Sequence, residues 1–152
     1  MSNTPSPHTL AAGRVLGVDV GTVRIGLALS DVERMVATPL QTVQGRDQQA
    51  AIDAICEVIQ THDVQALIVG LPLDLDGREG RAAKRTRRFV RRLEARATLP
   101  VFWLDERLTS AQATRTLIQA DVGRAQRKKV IDQVAASLIL QSWLDAQPRT
   151  ID

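Results

Sequence analysis

The chain has 152 residues, of which 44% are hydrophobic, and this length suits one domain with one core. It contains one cysteine and two histidines, which excludes an intramolecular disulfide and argues against a Ser-His-Asp triad or a histidine-rich zinc site. The net charge is only +3, but residues 78–96 hold nine Lys or Arg and two acidic residues. A basic segment as concentrated as this one is typical of a surface that binds a polyanion.

Both ends of the chain are predicted to lie outside the folded domain. Residues 1–13 are polar and rich in Pro and Ser, which indicates a disordered arm and not a secretory signal. The predicted domain covers residues 14–146, and residues 147–152 form a C-terminal tail. The sequence contains no run of 18 apolar residues, so no membrane span is predicted. The single cysteine favours a cytoplasmic protein.

The first three predicted elements are strands. Residues 14–20 and 23–30 are rich in Val, Ile and Leu and are joined at Gly21-Thr22, which predicts a hairpin of buried strands. The stretch "ATPLQTVQG" alternates in polarity and contains Pro39, as an edge strand does.

The remaining predicted elements alternate between helix and strand. They are a helix over 47–60, a strand in "VQALIVGLP", a basic helix to about Ala97, a strand in "PVFWLDE", a helix in "LTSAQATRTLIQA" opened by the capping-box pair Thr109 and Gln112, and a last helix from about Arg127 to Ala146. This order predicts an α/β fold with a mixed five-stranded sheet, antiparallel in its first three strands and then parallel, with helices on both faces. The first strand is expected at the centre, with its C-terminal end near the ends of the two later strands.

Three acidic positions fall where a charge is unexpected. Asp19 lies inside the first buried strand, Glu106 follows Asp105 at the end of "PVFWLDE", and Asp132 lies on a helix face that is otherwise small or apolar. A carboxylate in such surroundings is costly unless something neutralises it.

Each acid alone has an ordinary explanation. Asp19 fits an Asx-type turn, Glu106 fits a strand-end charge, and Asp132 fits a favourable position near a helix N-terminus. Together they would repel one another strongly, so a bound divalent cation explains them better. Oxygen ligands point to Mg²⁺ or Mn²⁺, and a pair of such ions can activate water for phosphodiester cleavage. Asp74 and Asp76 are further candidates, although such loop acids also form turns.

The basic segment is predicted to form an amphipathic helix with one charged side, which we call the basic stripe. The basic stripe consists of Arg81, Lys84, Arg85, Arg88, Arg91 and Arg92. A second basic group comprises Arg124, Arg127, Lys128 and Lys129. The stripe has few acidic partners, which favours contact with phosphates over a merely solvated helix face. Aromatic residues make up only 3% of the chain, so recognition through backbone and shape is expected instead of base stacking.

Four motifs, taken together, resemble the YqgF family, also called RuvX, of the ribonuclease H-like superfamily. They are "GVDVGTVRIGLALSD", "IVGLPLDLDGREG", "LDERLTSAQA" and "RKKVIDQVAASLILQSWL". The resemblance spans roughly residues 14–146. The first motif alone also resembles the phosphate-binding start of actin-like and sugar-kinase ATPases, but those need a second lobe that 152 residues do not provide.

The resemblance implies a ribonuclease H-like fold with an acidic metal site. It assigns catalysis and metal binding to Asp19, Glu106 and Asp132, and a supporting role to Asp105 and Arg107. Family members are described as nucleases that mature the 5′ end of pre-16S rRNA, and also as Holliday junction resolvases by likeness to RuvC.

Three functions therefore remain open. The first is a metal-dependent nuclease that processes the rRNA precursor, the second is a resolvase of branched DNA, and the third is a nucleic-acid-binding module without catalysis. A resolvase cuts two strands in concert and would be a homodimer, whereas an RNA-processing enzyme can act as a monomer. The intact acids at positions 19, 106 and 132 argue against the binding module, but the sequence contains no feature that decides between the two nucleases.

Overall fold

The computed structural model describes Ser6 and residues 10–109 and 124–148, with side chains in the last helix described from Asp132 onward. The elements in chain order are β1 (Val15–Val20), β2 (Arg24–Ser30), β3 (Ala37–Gln44), α1 (Gln48–His62), β4 (Ala66–Leu71), α2 (Arg81–Ala97), β5 (Val101–Asp105), a short 3₁₀ helix (Glu106–Leu108) and α3 (Arg124–Ala146). Among these described residues, no helix is long and apolar enough to cross a membrane.

The sheet has the strand order β3-β2-β1-β4-β5. β1 pairs antiparallel with β2, and β2 pairs antiparallel with β3. β1 pairs parallel with β4, and β4 pairs parallel with β5. The predicted mixed five-stranded sheet with β1 at its centre is therefore confirmed. β3 is an edge strand, which accommodates Pro39 because an edge position does not need its missing amide donor.

One face of the sheet packs against α1 and α2. Leu16 and Val18 of β1 point to this side and join a buried cluster that includes Ile55 of α1 and Phe89 of α2. α1 begins after Asp47, whose carboxylate accepts a hydrogen bond from the amide of Ala50 at 3.1 Å.

The other face packs against α3. Val15 of β1 and Ile68 of β4 contact a cluster that contains Ala136 and Leu140. Gly17 allows a close approach, because a Cβ placed on it would lie 2.8 Å from Cβ of Leu140. α3 therefore lies almost directly on the central strand.

Two helix boundaries differ from the prediction. α1 continues two residues further, to His62, and ends where Asp63 adopts a left-handed conformation. α3 begins at Arg124, before the predicted start at about Arg127. Its first turns are polar, so the sequence contains no apolar periodicity that would have marked the start. The helix predicted in "LTSAQATRTLIQA" lies largely outside the described residues.

Candidate functional site

Asp19 lies on the α3 side of the sheet, because it alternates with Val15 and Gly17 along β1. It is only 5% exposed. Its antiparallel partner in β2 is Gly26, and on the β4 side the register continues from the Val18–Val69 pair to Gly70. Both sheet neighbours of Asp19 on this face thus lack a side chain, and we call Gly26 and Gly70 the glycine floor.

Glu106 covers one side of the glycine floor. A Cβ placed on Gly70 would lie 2.8 Å from Oε1 of Glu106. β5 ends at Asp105, and the following 3₁₀ turn carries Glu106 back over the sheet while Arg107 stays exposed. The position of Glu106 at the end of β5 therefore brings its carboxylate over Gly70 of β4, the strand that neighbours β1.

Asp132 covers the other side of the glycine floor. A Cβ placed on Gly26 would collide with the carbonyl oxygen of Asp132, so the main chain of α3 sits directly on β2 at this point. The carboxylate of Asp132 accepts a hydrogen bond from Nε of Arg24 at 3.0 Å. The side chains of Arg24 and Asp132 are 29% and 21% exposed, respectively.

The three acids thus come from β1, from the turn after β5 and from α3, and all three lie on the same side of the sheet, beside the glycine floor. Their oxygens are the donors that Mg²⁺ and Mn²⁺ prefer. As arranged in the described part of the chain, however, no three His, Cys, Asp or Glu side chains form a group that could hold a metal ion. Asp132 is paired with Arg24 instead, so the guanidinium supplies the positive charge beside this acid.

Asp105 and Arg107 hold each other at the end of β5. Nη2 of Arg107 lies 2.7 Å from Oδ2 of Asp105, and Nε of Arg107 donates to both carboxylate oxygens. The side-chain hydrogen bond from Arg107 lowers the pKa of Asp105 below its usual range. Arg107 also donates to the carbonyl of Leu75 at 3.4 Å, which ties the end of β5 to the loop before α2.

The loop acids Asp74 and Asp76 shape the turn that precedes α2. The amide of Asp74 donates to the carbonyl of Arg78, and the amide of Gly77 donates to the carbonyl of Asp74. The carboxylate of Asp76 accepts a hydrogen bond from the amide of Arg78 at 3.0 Å. The carboxylate of Asp76 thus contributes to the turn, whereas the turn contacts of Asp74 are made by its main chain.

All six residues of the basic stripe are exposed on α2. Two other cations of this helix are paired with acids, Arg87 with Glu79 and Arg96 with Asp53. Within the described ranges, no ion pair joins a stripe residue to an acid. The stripe therefore carries positive charge that the described protein does not neutralise. The side chains of Arg124, Arg127, Lys128 and Lys129 lie outside the described part.

A family model described as "RuvX: Holliday junction resolvase" matches residues 13–146 of the chain. The chain belongs to the RuvX family. Its membership, predicted from the four motifs, is confirmed.

Curated relatives of this RuvX chain carry the name "Putative pre-16S rRNA nuclease". The Methylocella silvestris protein is 48% identical over 132 residues, which cover 87% of this chain and 82% of the relative. The Moorella thermoacetica protein is 46% identical, and the match covers 87% of this chain and 94% of the relative.

Among solved structures, Thermus thermophilus RuvC in complex with a Holliday junction substrate matches with a TM-score of 0.55. The match covers 88% of the RuvX chain and 97% of RuvC at 16% identity, which shows a shared fold. The predicted ribonuclease H-like fold is thereby confirmed.

Sequence reasoning missed three residues that adjoin the candidate site: Arg24, Gly26 and Gly70. Gly26 and Gly70 interrupt apolar strands, and a glycine inside a strand marks a close approach of another group. Arg24 is a charge at the start of an apolar strand, and its partner lies 108 positions away in the sequence. The two glycines could have been identified from the sequence, whereas the partner of Arg24 could not.

Proposed function

We propose that this chain is a divalent-metal-dependent nuclease that hydrolyses phosphodiester bonds and matures the 5′ end of pre-16S rRNA. The observation that carries the proposal is the placement of Asp19, Glu106 and Asp132 on one side of the sheet, beside the glycine floor. Three carboxylates on one face supply the oxygen ligands that Mg²⁺ and Mn²⁺ prefer in proteins.

Asp19, Glu106 and Asp132 would hold Mg²⁺ or Mn²⁺ when Asp132 is released from Arg24. The bound ion would supply an activated water and stabilise the leaving oxygen. β1 holds the carboxylate of Asp19 rigidly, since its backbone is paired on both sides. Arg24 restrains Asp132 at the start of β2. Asp105 and Arg107 support Glu106 by holding the turn that carries it.

The basic stripe would bind the phosphate backbone of the substrate, joined by the second basic group on α3. Its six cations form no ion pair with an acid among the described residues, so binding a polyanion breaks no such pair of the stripe. Recognition of this kind is independent of base sequence.

RNA is the preferred substrate because relatives above 40% identity are named for pre-16S rRNA. Such an enzyme can act as a monomer, and we expect it in the cytoplasm. The second candidate, a dimeric Holliday junction resolvase, is favoured by the description of the matching family model.

A cleavage assay separates these functions. A labelled mimic of the pre-16S rRNA 5′ end and a four-way DNA junction are incubated with Mg²⁺, Mn²⁺ or EDTA. We expect cleavage of the RNA only, abolished by EDTA and reduced at least about 100-fold in Asp19→Asn. The matched control is Asp53→Asn, an exposed acid on α1 that should cleave like the wild type.

Other outcomes of the assay identify the alternatives. Symmetric paired nicks in the junction would replace the RNA proposal by the resolvase. Tight binding of either substrate without cleavage under any condition would leave a non-catalytic binding module. Undiminished cleavage by a folded Asp19→Asn protein would overturn the assignment of the site.

A further inference from the structure

The basic stripe and the three acids lie on opposite faces of the sheet. α2 packs against the face of Leu16 and Val18, whereas Asp19 lies on the face covered by α3. A substrate that contacts both must therefore pass over an end of the sheet.

A groove on the α2 side leads toward such a crossing. Its wide part, about 690 Å³, lies between the start of α1 and the basic stripe and is lined by Gln48, Arg85, Arg88, Arg91, Arg92 and Ala95. A narrower part of about 210 Å³ is lined by residues that include Gly21, Thr22 and Arg46. Gln48 and Arg85 line both parts, so the two parts adjoin, and we call them together the track.

The track ends beside the candidate active site. The narrow part is lined by Val20 and Gly21, which directly follow Asp19 in the chain. The turn from β1 to β2 is exposed and compact, closed by a hydrogen bond from the amide of Gly21 to the carbonyl of Arg24 at 2.9 Å. Since a sheet is one backbone thick, a chain crossing this turn reaches the acids from the track within a short distance.

We propose that a single-stranded RNA segment flanking the cleaved bond crosses the β1–β2 turn and lies in this track. A duplex is stiff over many base pairs and cannot fold over the end of a sheet, whereas a single strand can. The charges of Arg46, Arg85 and Arg88 match its phosphates, and the wide part of the track contains no aromatic ring for base stacking. This inference rests on the proposed function and specifies the form of its substrate.

Arg46 provides the discriminating test, because it lies in the loop before α1 and belongs to the track but not to the basic stripe. Binding is measured by fluorescence anisotropy in EDTA with a labelled, unstructured RNA and with the same RNA annealed as a blunt duplex. We expect Arg46→Gln to weaken binding of the single strand several-fold and to reduce its salt slope by about 0.7, with duplex binding unchanged. Arg85→Gln should weaken single-strand binding at least as much, since this residue lines both parts.

The matched control is Arg96→Gln, which removes the same charge from α2 outside the track. It should bind both probes like the wild type. Three results would each contradict the proposal: a loss in Arg96→Gln equal to that in Arg46→Gln, unchanged single-strand binding in Arg46→Gln, or equal losses for single strand and duplex in Arg46→Gln. Since these measurements need no cleavage, they are independent of the cleavage assay, and an inactive protein that still binds in this way would refute only the proposed function.

Discussion

At the scale of single residues, the ion pair Arg24–Asp132 links β2 to the helix that carries one of the three acids. It joins the start of β2 to α3 through a hydrogen bond of 3.0 Å, and both side chains are mostly buried. The guanidinium of Arg24 compensates the charge of Asp132 and restrains its side chain next to β2. Metal binding at the site would then compete with Arg24 for Asp132.

We therefore expect Arg24→Gln to lower the free energy of unfolding in EDTA by about 1.5–3 kcal/mol, because a charge-assisted hydrogen bond is lost. The gain in stability on adding Mg²⁺ should be larger than in the wild type, since Asp132 is released to the cation. Urea unfolding with and without Mg²⁺ measures both quantities.

A fitting control is Arg78→Gln, which removes an exposed ion pair with Asp76 and should change little. If Arg24→Gln lowers stability but leaves the Mg²⁺-dependent gain unchanged, Arg24 is a purely structural residue.

At the scale of elements, α3 is seated on β2 through Gly26. A methyl group at this position meets the main chain of α3 and not a movable side chain. Gly26→Ala should therefore displace the helix that carries Asp132 and destabilise the protein by about 3 kcal/mol. Urea unfolding measures the effect, together with cleavage activity.

Gly45→Ala serves as the comparison, because there the nearest atom to the new Cβ is 3.2 Å away. Its free energy of unfolding should change by less than about 1 kcal/mol. Similar losses in the two variants would show that the contact with α3 is not what requires Gly26.

The turn from β2 to β3 depends on the charge of Asp31. Its Oδ1 accepts hydrogen bonds from the amides of Val36 and Met35, at 3.0 and 2.8 Å. The bond from Val36, assisted by that from Met35, lowers the pKa of Asp31 below its usual value of 3.8. The charged form therefore stabilises the fold at pH values above 3.8, and this contribution is lost as the pH falls through the lowered pKa.

We expect Asp31→Asn to be less stable than the wild type at neutral pH and the difference to shrink only below pH 3.8. Thermal unfolding of both proteins across the acidic range gives the difference directly. A difference that stays constant down to about pH 2 would contradict a charge effect of Asp31.

At the scale of the whole molecule, the six cations of the basic stripe lie on the face of the sheet opposite the three acids. Because the stripe residues are not paired with acids in the described ranges, counterions released from RNA should dominate its binding. Replacing both Arg88 and Arg91 by Gln should weaken binding of single-stranded and duplex RNA alike. The slope of log K against log salt concentration for single strands should fall by about 1.4.

This double variant is compared with a double variant of the paired cations Arg87 and Arg96, measured by anisotropy over a range of salt concentrations. Equal slopes in the two variants would show that net charge alone, without the stripe, explains binding.

Much of this molecule was predictable because its signals are local. Hydrophobic alternation in residues 14–30 indicates the hairpin, helical spacing in residues 81–97 indicates α2, and the position of Asp19 inside an apolar strand marks it as exceptional. The start of α3 was misplaced because polar first turns carry no apolar period.

The sequence by itself determined the fold class, the family and the three acids proposed as ligands, since periodicity and motifs depend on residues close in the chain. Only the tertiary structure decided that Gly26 and Gly70 flank Asp19, that Arg24 pairs with Asp132, and that the basic stripe lies across the sheet from the acids. These relations depend on strand order and on the face each helix covers. Both are set by packing between segments far apart in the chain, which no local pattern encodes.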